Sequence, residues 1–233
     1  MANQRVVISI GGSILIPGRD DAAYIGSLAH MLREASGKVS MIIVVGGGKT
    51  ARYYATTGRE LGGSEYDLDI MGIDSTRINA KLLALALGKD FSSMDISPTV
   101  EGTVAKVGKV KIPVMGGTEP GHTTDAVSAM VAERWGADRI VNATSVDAVY
   151  SDDPRKNPDA VKYSSLTIEE LGHIVYSGHA AGKSSVFDPM GVKIAEKDCI
   201  DIEMVDGRNL AELEKAILGQ PFSGTHVDSH RAG

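Results

Sequence analysis

Three times in this chain a run of β-branched and aliphatic residues stops abruptly on glycine. Residues 5–10 (RVVISI) run into Gly11-Gly12-Ser13, residues 39–45 (VSMIIVV) into Gly46-Gly47-Gly48, and a segment ending KIPVM into Gly116-Gly117-Thr118. The first two runs lack the polar alternation of a half-exposed strand, so they suit a parallel sheet covered on both faces by helices. Parallel strands end on one common edge, and that is where open α/β sheets bind ligands. Glycine there lets the backbone approach an anion closely, and a helix starting just after the loop presents free N–H groups to it. The pattern therefore predicts an α/β fold in which three glycine loops converge on one phosphate-binding crevice. With Gly121 added, these loops take 8 of the chain's 27 glycines.

The intervening segments read as the covering helices of βαβ units. Apolar positions Ile25, Leu28, Ala29 and Leu32 have helical spacing within 20–36, and helices are predicted over 49–61, 124–135, 167–176, 188–197 and 209–218. Thr167 with Glu170 three places on is a capping-box pattern. The longest helix, 67–87, carries a wide stripe that includes Leu68, Met71, Ser75, Ile78, Leu82 and Leu85. Such a stripe faces the core or seals a subunit interface. Further strands are expected at 139–143 and 200–205, with two short strands around Gly108 within 103–115. Residues 145–165 hold Pro154 and Pro158 and read as a long functional loop, and the polar tail after Gly219 reads as partly mobile. No internal repeat is visible, so the chain is expected to form one domain, 1–233.

Composition narrows the function. A chain of 233 residues can bury a full core, and its one cysteine cannot build a disulfide framework or a cysteine-rich zinc site. The net charge of −6 argues against a general nucleic-acid coat, although a local basic cluster can still hold a small anion. No stretch reaches the ~18 apolar residues of a membrane span, and the N-terminus has no basic region of a signal peptide. A soluble, cytoplasmic protein is expected, without nucleic-acid or membrane partners.

Two familiar phosphate motifs fail. Gly48-Lys49-Thr50 resembles the end of a P-loop, but Ile43 stands where that motif needs glycine, and no GxGxxG pattern occurs in these loops. Lys49 and Arg52 fall in the first turn of the helix after the triple glycine, where a cation opposes the helix dipole and a bound anion would relieve it. The densest signal is Gly116 to Asp125 (GGTEPGHTTD). Thr123 and Thr124 each suit a helix cap or a phosphate contact. Asp125 reads either as a first-turn acid favoured by the dipole or as a residue orienting cations. His122 stands alone. No residues have metal-ligand spacing, and no serine sits on a nucleophile elbow. In TSVDAVYSDDP (144–154), Tyr150 can stack on a base, and the carboxylates can accept from ribose or base.

Taken together and in this order, IGGSILIP, GGGKTARYY, PVMGGTEPGHTTDA, TSVDAVYSDDP and SSVFDP closely resemble the archaeal-type uridylate kinases of the amino acid kinase superfamily. The resemblance runs from about residue 5 to 227. It implies a three-layer α-β-α sandwich around a mostly parallel sheet of about eight strands. The half spanning about 1–120 would take the phosphate acceptor, and the half spanning about 121–227 would take ATP. On this resemblance Gly12, Ser13, Gly48 and Arg52 hold the ATP phosphates, and Thr144, Ser145, Tyr150 and Asp153 hold the adenosine. Gly47, Asp69 and the stretch Thr118, Glu119, Pro120, Gly121, His122, Thr123 and Thr124 hold UMP.

The implied reaction converts ATP and UMP to ADP and UDP, a step of pyrimidine nucleotide synthesis. Mg²⁺ would be bound mainly through the ATP phosphates, and the chain would assemble as a homohexamer, a trimer of dimers. The acceptor oxygen is already anionic, so no general base is needed. Catalysis falls to alignment and charge neutralisation, by Lys49 and Arg52, with Asp125 orienting them. Many superfamily members carry lysine at the position of Ser9, which leaves that role to Lys49 or Lys193. Other superfamily chemistries, with an isopentenyl phosphate or carboxylate acceptor, keep the same fold. So does a non-catalytic nucleotide sensor or oxoanion store.

Overall fold

The computed structural model describes residues 4–18, 21–154, 156–180 and 186–229. Along the chain it forms β1 (Arg5–Ile10), α1 (Gly12–Leu15), α2 (Asp21–Ala35), β2 (Ser40–Val45), α3 (Gly48–Glu60) and α4 (Glu65–Leu87). There follow α5 (Val100–Val104), β3 (Val114–Met115), α6 (Thr124–Trp135), β4 (Arg139–Thr144), β5 (Val149–Tyr150), β6 (Lys162–Tyr163) and β7 (Ser165–Thr167). The last elements are α7 (Ile168–Ala180), α8 (Pro189–Asp198), β8 (Asp201–Asp206), α9 (Leu210–Ile217) and β9 (Thr225–Asp228).

Local chemistry sets the ends of the helices that matter for the site. Ser64 and Asp67 form a reciprocal capping box at the start of α4, which ends at Gly88 with φ 82°. Thr123 caps α6, whose far end closes on Gly136 in the left-handed conformation. Asp188 caps α8 with Pro189 just inside the helix, a position where the missing N–H costs nothing. The Thr167–Glu170 box forms as the spacing predicts, with Thr167 N donating to Glu170 Oε2 (2.8 Å) and Glu170 N to Thr167 Oγ1 (3.2 Å).

The central sheet has seven strands in the order β3-β2-β1-β4-β8-β9-β7, and β5 pairs with β6 in a separate two-stranded ribbon. β1, β2, β3, β4 and β8 run parallel, β9 runs antiparallel to β8, and β7 runs parallel to β9. Strand alternation divides the core between two faces. Val6, Ile8 and Ile10 pack with α2, α4 and α9 on one side, while Val7 packs with α6, α7 and α8 on the other. Ser9 shares the face of Val7 and is the one polar side chain in β1 after Arg5. It is buried at the point where α6 begins.

Three expectations change. Residues 103–115 form one two-residue strand rather than two, with only an isolated bridge between Val107 and Val110. Lys106, Lys109 and Lys111 alternate with the valines there, and Gly108 turns the chain at φ 81°, so no continuous apolar edge is left to pair. The polar tail supplies β9, with Thr225 and Val227 buried between β8 and β7. Thr225 satisfies its hydroxyl on Tyr163 O (2.6 Å), which is how a polar residue joins an interior strand. The 145–165 loop contains the β5–β6 ribbon.

The α4 stripe splits in two. Leu68, Ile73, Leu83 and Leu87 are buried, whereas Ile78 and Leu85 are 61% and 63% exposed. With Tyr53, Tyr54 and Tyr66 this leaves an apolar outer face on α3 and α4. Among the described residues, no helix is long and apolar enough to cross a membrane.

Candidate active site

The first two glycine loops lie directly against each other. A Cβ on Gly12 would overlap the backbone of Gly46 and Gly48, and one on Gly48 would overlap Gly12 and Ser13 N. Gly48 also has φ 60°. These glycines are therefore required by backbone-to-backbone packing, and that contact brings the starts of α1 and α3 side by side. Gly46 N donates to Ile10 O (2.9 Å) and Gly11 N to Ala143 O (3.0 Å), which ties both loops to the strand ends.

The third loop is built on α4 instead. A Cβ on Gly116 would run into Thr76 and Arg77 N. The Thr76 hydroxyl accepts from Gly117 N (2.6 Å), and Arg77 donates to Gly117 O (3.3 Å) and Thr118 O (2.9 Å). Asn79, one turn further on, donates to Gly46 O (2.9 Å) and Gly47 O (3.2 Å). Thr76 and Asn79 thus join the second and third loops through one helix face. Sequence reading passed over both. Their signal was two polar residues three apart within an apolar helix, where buried polar groups must find partners.

Lys49, in the first turn of α3, and Arg52, at the start of the second, reach towards α1. Arg52 Nη2 donates to Ser13 Oγ (2.9 Å) and Lys49 Nζ to Pro17 O (2.5 Å), while no acidic residue stands in the first turn. Lys193, the other candidate for the lysine role, is exposed, with its Nζ 5.9 Å from the centre of the Tyr176 ring.

Asp125 sits in the first turn of α6, below the third loop. Ser9 Oγ donates to its Oδ1 (3.2 Å). Burial pushes the Asp125 carboxyl up to about 6, the Ser9 hydrogen bond acts in the opposite direction, and the neighbouring Asp188 charge raises it further. Thr123 is the cap of α6: its Oγ1 accepts from Ala126 N (3.1 Å) and donates to Asp188 Oδ2 (2.7 Å). Asp188 Oδ1 accepts from Met190 N (2.7 Å). One threonine and one aspartate therefore link the starts of α6 and α8. Asp188 was not singled out from sequence, although it belongs to SSVFDP, whose two serines lie outside the described residues.

On the acceptor side, Asp69 of α4 accepts from Gly121 N (3.1 Å), where Gly121 turns at φ 88°. Thr118 Oγ1 and His122 Nδ1 are buried without a hydrogen-bond partner among the described residues, although Glu119 Oε1 lies 3.5 Å from that nitrogen. Buried polar atoms left open in a loop of this kind are what a polar ligand would satisfy. Pro120 is part of the turn that carries Gly121, and Thr124 is half-buried at the first position of α6.

On the other side of β1, Thr144 ends β4 and its carbonyl accepts from Gly207 N (2.9 Å). Tyr150 Oη donates to Asp147 Oδ1 (3.0 Å), and Lys162 Nζ holds Asp147 Oδ2 (2.8 Å). Asp147 is thus engaged within the protein. Asp153 anchors the turn that follows, its carbonyl accepting from Lys156 N and Asn157 N (both 2.9 Å). Among the described residues, no cluster of three or more His, Cys, Asp or Glu could hold a metal ion.

The sheet edge thus carries two rims, one of Asp69 and residues 118–124 and one of residues 144–150. The interlocked glycine loops, Arg52 and Asp125 lie along the same edge. Residues 4–206 match the amino acid kinase family model. A uridylate kinase from Pyrococcus abyssi is 42% identical over 225 residues, covering 96% of this chain and 99% of that protein. One from Methanosarcina barkeri is 41% identical over 213 residues, 91% of each chain. The crystal structure of uridylate kinase from Archaeoglobus fulgidus superposes with a TM-score of 0.85 at 37% identity, covering 95% of this chain and 99% of the other. UMP kinase from Bacillus anthracis shares the fold at a TM-score of 0.80 with 20% identity. Fold, loop order and full-length similarity agree, and the chain belongs to the amino acid kinase family.

Proposed function

We propose that this protein is a UMP kinase that transfers the γ-phosphate of ATP to UMP, giving ADP and UDP for pyrimidine nucleotide synthesis. The observation that carries the reading is the direct packing of Gly12 on Gly46 and Gly48, which lays two strand-end loops and the Arg52 side chain along one edge. The names of its archaeal relatives support UMP as the acceptor.

In this reading the N-terminal half takes UMP, through Gly47, Asp69 and residues 118–124. The C-terminal half takes ATP, through Thr144, Ser145, Tyr150 and Asp153, with Gly12, Ser13, Gly48 and Arg52 on its phosphates. Mg²⁺ arrives on the ATP phosphates as part of that substrate. The UMP phosphate oxygen attacks the γ-phosphorus, the bond to the β-phosphate oxygen breaks, and ADP leaves. No proton must be removed first. The protein's contribution is to hold two polyanions in line and neutralise their repulsion. Arg52 and Lys49 supply charge, and ionised Asp125 orients the cationic partners. The exposed face of Tyr53, Tyr54, Tyr66, Ile78 and Leu85 is the surface we assign to dimer contacts within a cytoplasmic homohexamer.

The test is ADP release with Mg·ATP and a panel of UMP, CMP, dUMP, isopentenyl phosphate and small carboxylic acids. UMP is expected to be the best acceptor. Preference for an isoprenoid or a carboxylate would replace the substrate, and ATP binding without turnover on any acceptor would replace the enzyme with a sensor. Light scattering at micromolar concentration tests the hexamer.

A further inference from the structure

A fourth strand-end loop closes the β4 side of the crevice. β8 ends at Asp206, and Gly207 and Arg208 lead towards α9. The loop is pinned from two sides: Gly207 N donates to Thr144 O (2.9 Å), and Gly207 O accepts from Tyr24 Oη (2.6 Å). A Cβ on Gly207 would approach Ile14 Cγ2 to 2.7 Å and Ala143 Cβ to 3.1 Å, so the turn lies against α1 and the end of β4. Arg208 then acts as a clamp. Its Nε and Nη2 each donate to one oxygen of Asp206 (2.8 Å each), and Nη2 also reaches Ser145 O (3.1 Å), 63 residues away in sequence. Ser145 is the first residue of the segment that leads to Asp147 and Tyr150.

We propose that Arg208 is a positioning residue for ATP. It fixes the backbone at Ser145, and through it the wall formed by residues 144–150, without itself touching the nucleotide. A planar guanidinium is suited to this because it can serve a carboxylate with two parallel bonds and still offer a hydrogen to a carbonyl. A lysine ammonium keeps the charge but not that fork. The Arg208 side chain is 62% exposed, so its loss leaves the core intact. The clamp acts before ATP arrives, and reducing the freedom of a binding segment in advance improves affinity. The inference rests on the reading that the C-terminal half binds ATP.

The experiment measures Mg·ATP binding calorimetrically on the whole protein without acceptor, together with steady-state kinetics, for wild type, Arg208→Ala, Arg208→Lys and Asp206→Asn. Arg208→Ala and Arg208→Lys are each expected to weaken ATP binding about fivefold or more. The KM for UMP, kcat at saturating ATP and the melting temperature should stay within about twofold or two degrees of wild type. Asp206→Asn, which weakens the grip on Arg208, should weaken ATP binding in the same direction. Unchanged ATP affinity in Arg208→Ala would overturn the proposal while leaving UMP kinase activity standing. Full rescue by lysine would overturn the clamp, because charge alone would then suffice. An equal loss for UMP and ATP with a lowered melting temperature would reduce Arg208 to a structural role. If ATP binding weakens as stated but no acceptor is turned over, the clamp stands and the kinase reading falls. A wild-type protein that does not bind ATP overturns both.

Discussion

Ser9 and Asp125, 116 residues apart, meet across 3.2 Å where the first strand ends and the α6 helix begins. The contact exists because alternation along β1 turns Ser9 to the α6 side, beneath the first turn of that helix. It couples a strand end to a carboxyl that burial has moved to about 6.

Activity should fall on acidification with an apparent pKa near 6, because only ionised Asp125 can orient cations. Ser9→Ala removes the hydrogen bond that favours the ionised form and should move this acid limb to higher pH. A kcat/KM profile from pH 5 to 8 measures both. An acid limb that stays in place in Ser9→Ala would separate it from Asp125. The folded-state value lies above the usual ~3.8, so the folded protein binds the proton more tightly than the unfolded chain. This makes stability fall as pH rises from about 4 to about 6. Asp125 is half-buried, so Asp125→Asn should stabilise the ligand-free protein at pH 7 by about 2 kcal/mol, less than full burial would give. The same variant should lose about a hundredfold in turnover.

Arg52→Ala should cut kcat by at least about tenfold, the scale of one lost charge contact to a transferring phosphoryl group. Its melting temperature should barely change, because the group contacts Ser13 at the surface. Near-normal turnover would remove Arg52 from the phosphate site.

The glycines divide by cause. Gly12→Ala must push apart the Gly46 and Gly48 backbone and should cost at least about 3 kcal/mol. At Gly121 no atom lies within 4 Å of an added Cβ, and only the positive φ is strained. Gly121→Ala should cost about 1 kcal/mol. Urea unfolding of the two variants measures the difference.

Thr76→Val keeps the shape of the side chain but leaves Gly117 N without its partner. A loss of about 1–3 kcal/mol is expected, with Thr76→Ser close to wild type. Equal stability of valine and serine at this position would show that the hydroxyl does not hold the third loop.

His226 titration should be visible in stability. Its hydrogen bond to Glu203 holds the imidazole above its usual range, against the effect of burial. The bond is made at 3.0 Å from Nδ1. The folded value is raised, so the contribution is complete below the unfolded value of about 6.5 and is lost as pH rises through the folded one. The melting-temperature difference between wild type and His226→Gln should thus shrink from pH 5.5 to 8.5. A constant difference would mean that the ion pair contributes nothing.

Much of the fold was legible because its causes are local. The double-sided burial of β1 and β2 shows in their unbroken apolar runs, and the helices show in their period and caps, as at Thr167 with Glu170. β9 was hidden, since Val227 is the one apolar residue in Thr225–Asp228, and the segment becomes a strand only because Tyr163 O and the flanking strands complete its bonds. Of the two strands expected within 103–115, the one before Gly108 did not form: Val104 ends α5, and Val107 makes only an isolated bridge to Val110.

Local pattern was enough to show that strands end on glycine at one sheet edge, and that basic and hydroxyl residues follow them. It did not reveal why each glycine is there. Gly12 and Gly48 make room for each other's backbone and Gly116 for Thr76, a relation between chain segments far apart that no local pattern encodes. The same holds for Ser9 with Asp125, Thr123 with Asp188 and Arg208 with Ser145. Each pair is joined by a hydrogen bond of about 3 Å, and a contact that short depends on how the helices are seated on the sheet. Tertiary packing therefore decided which of the chemically suitable residues stand together.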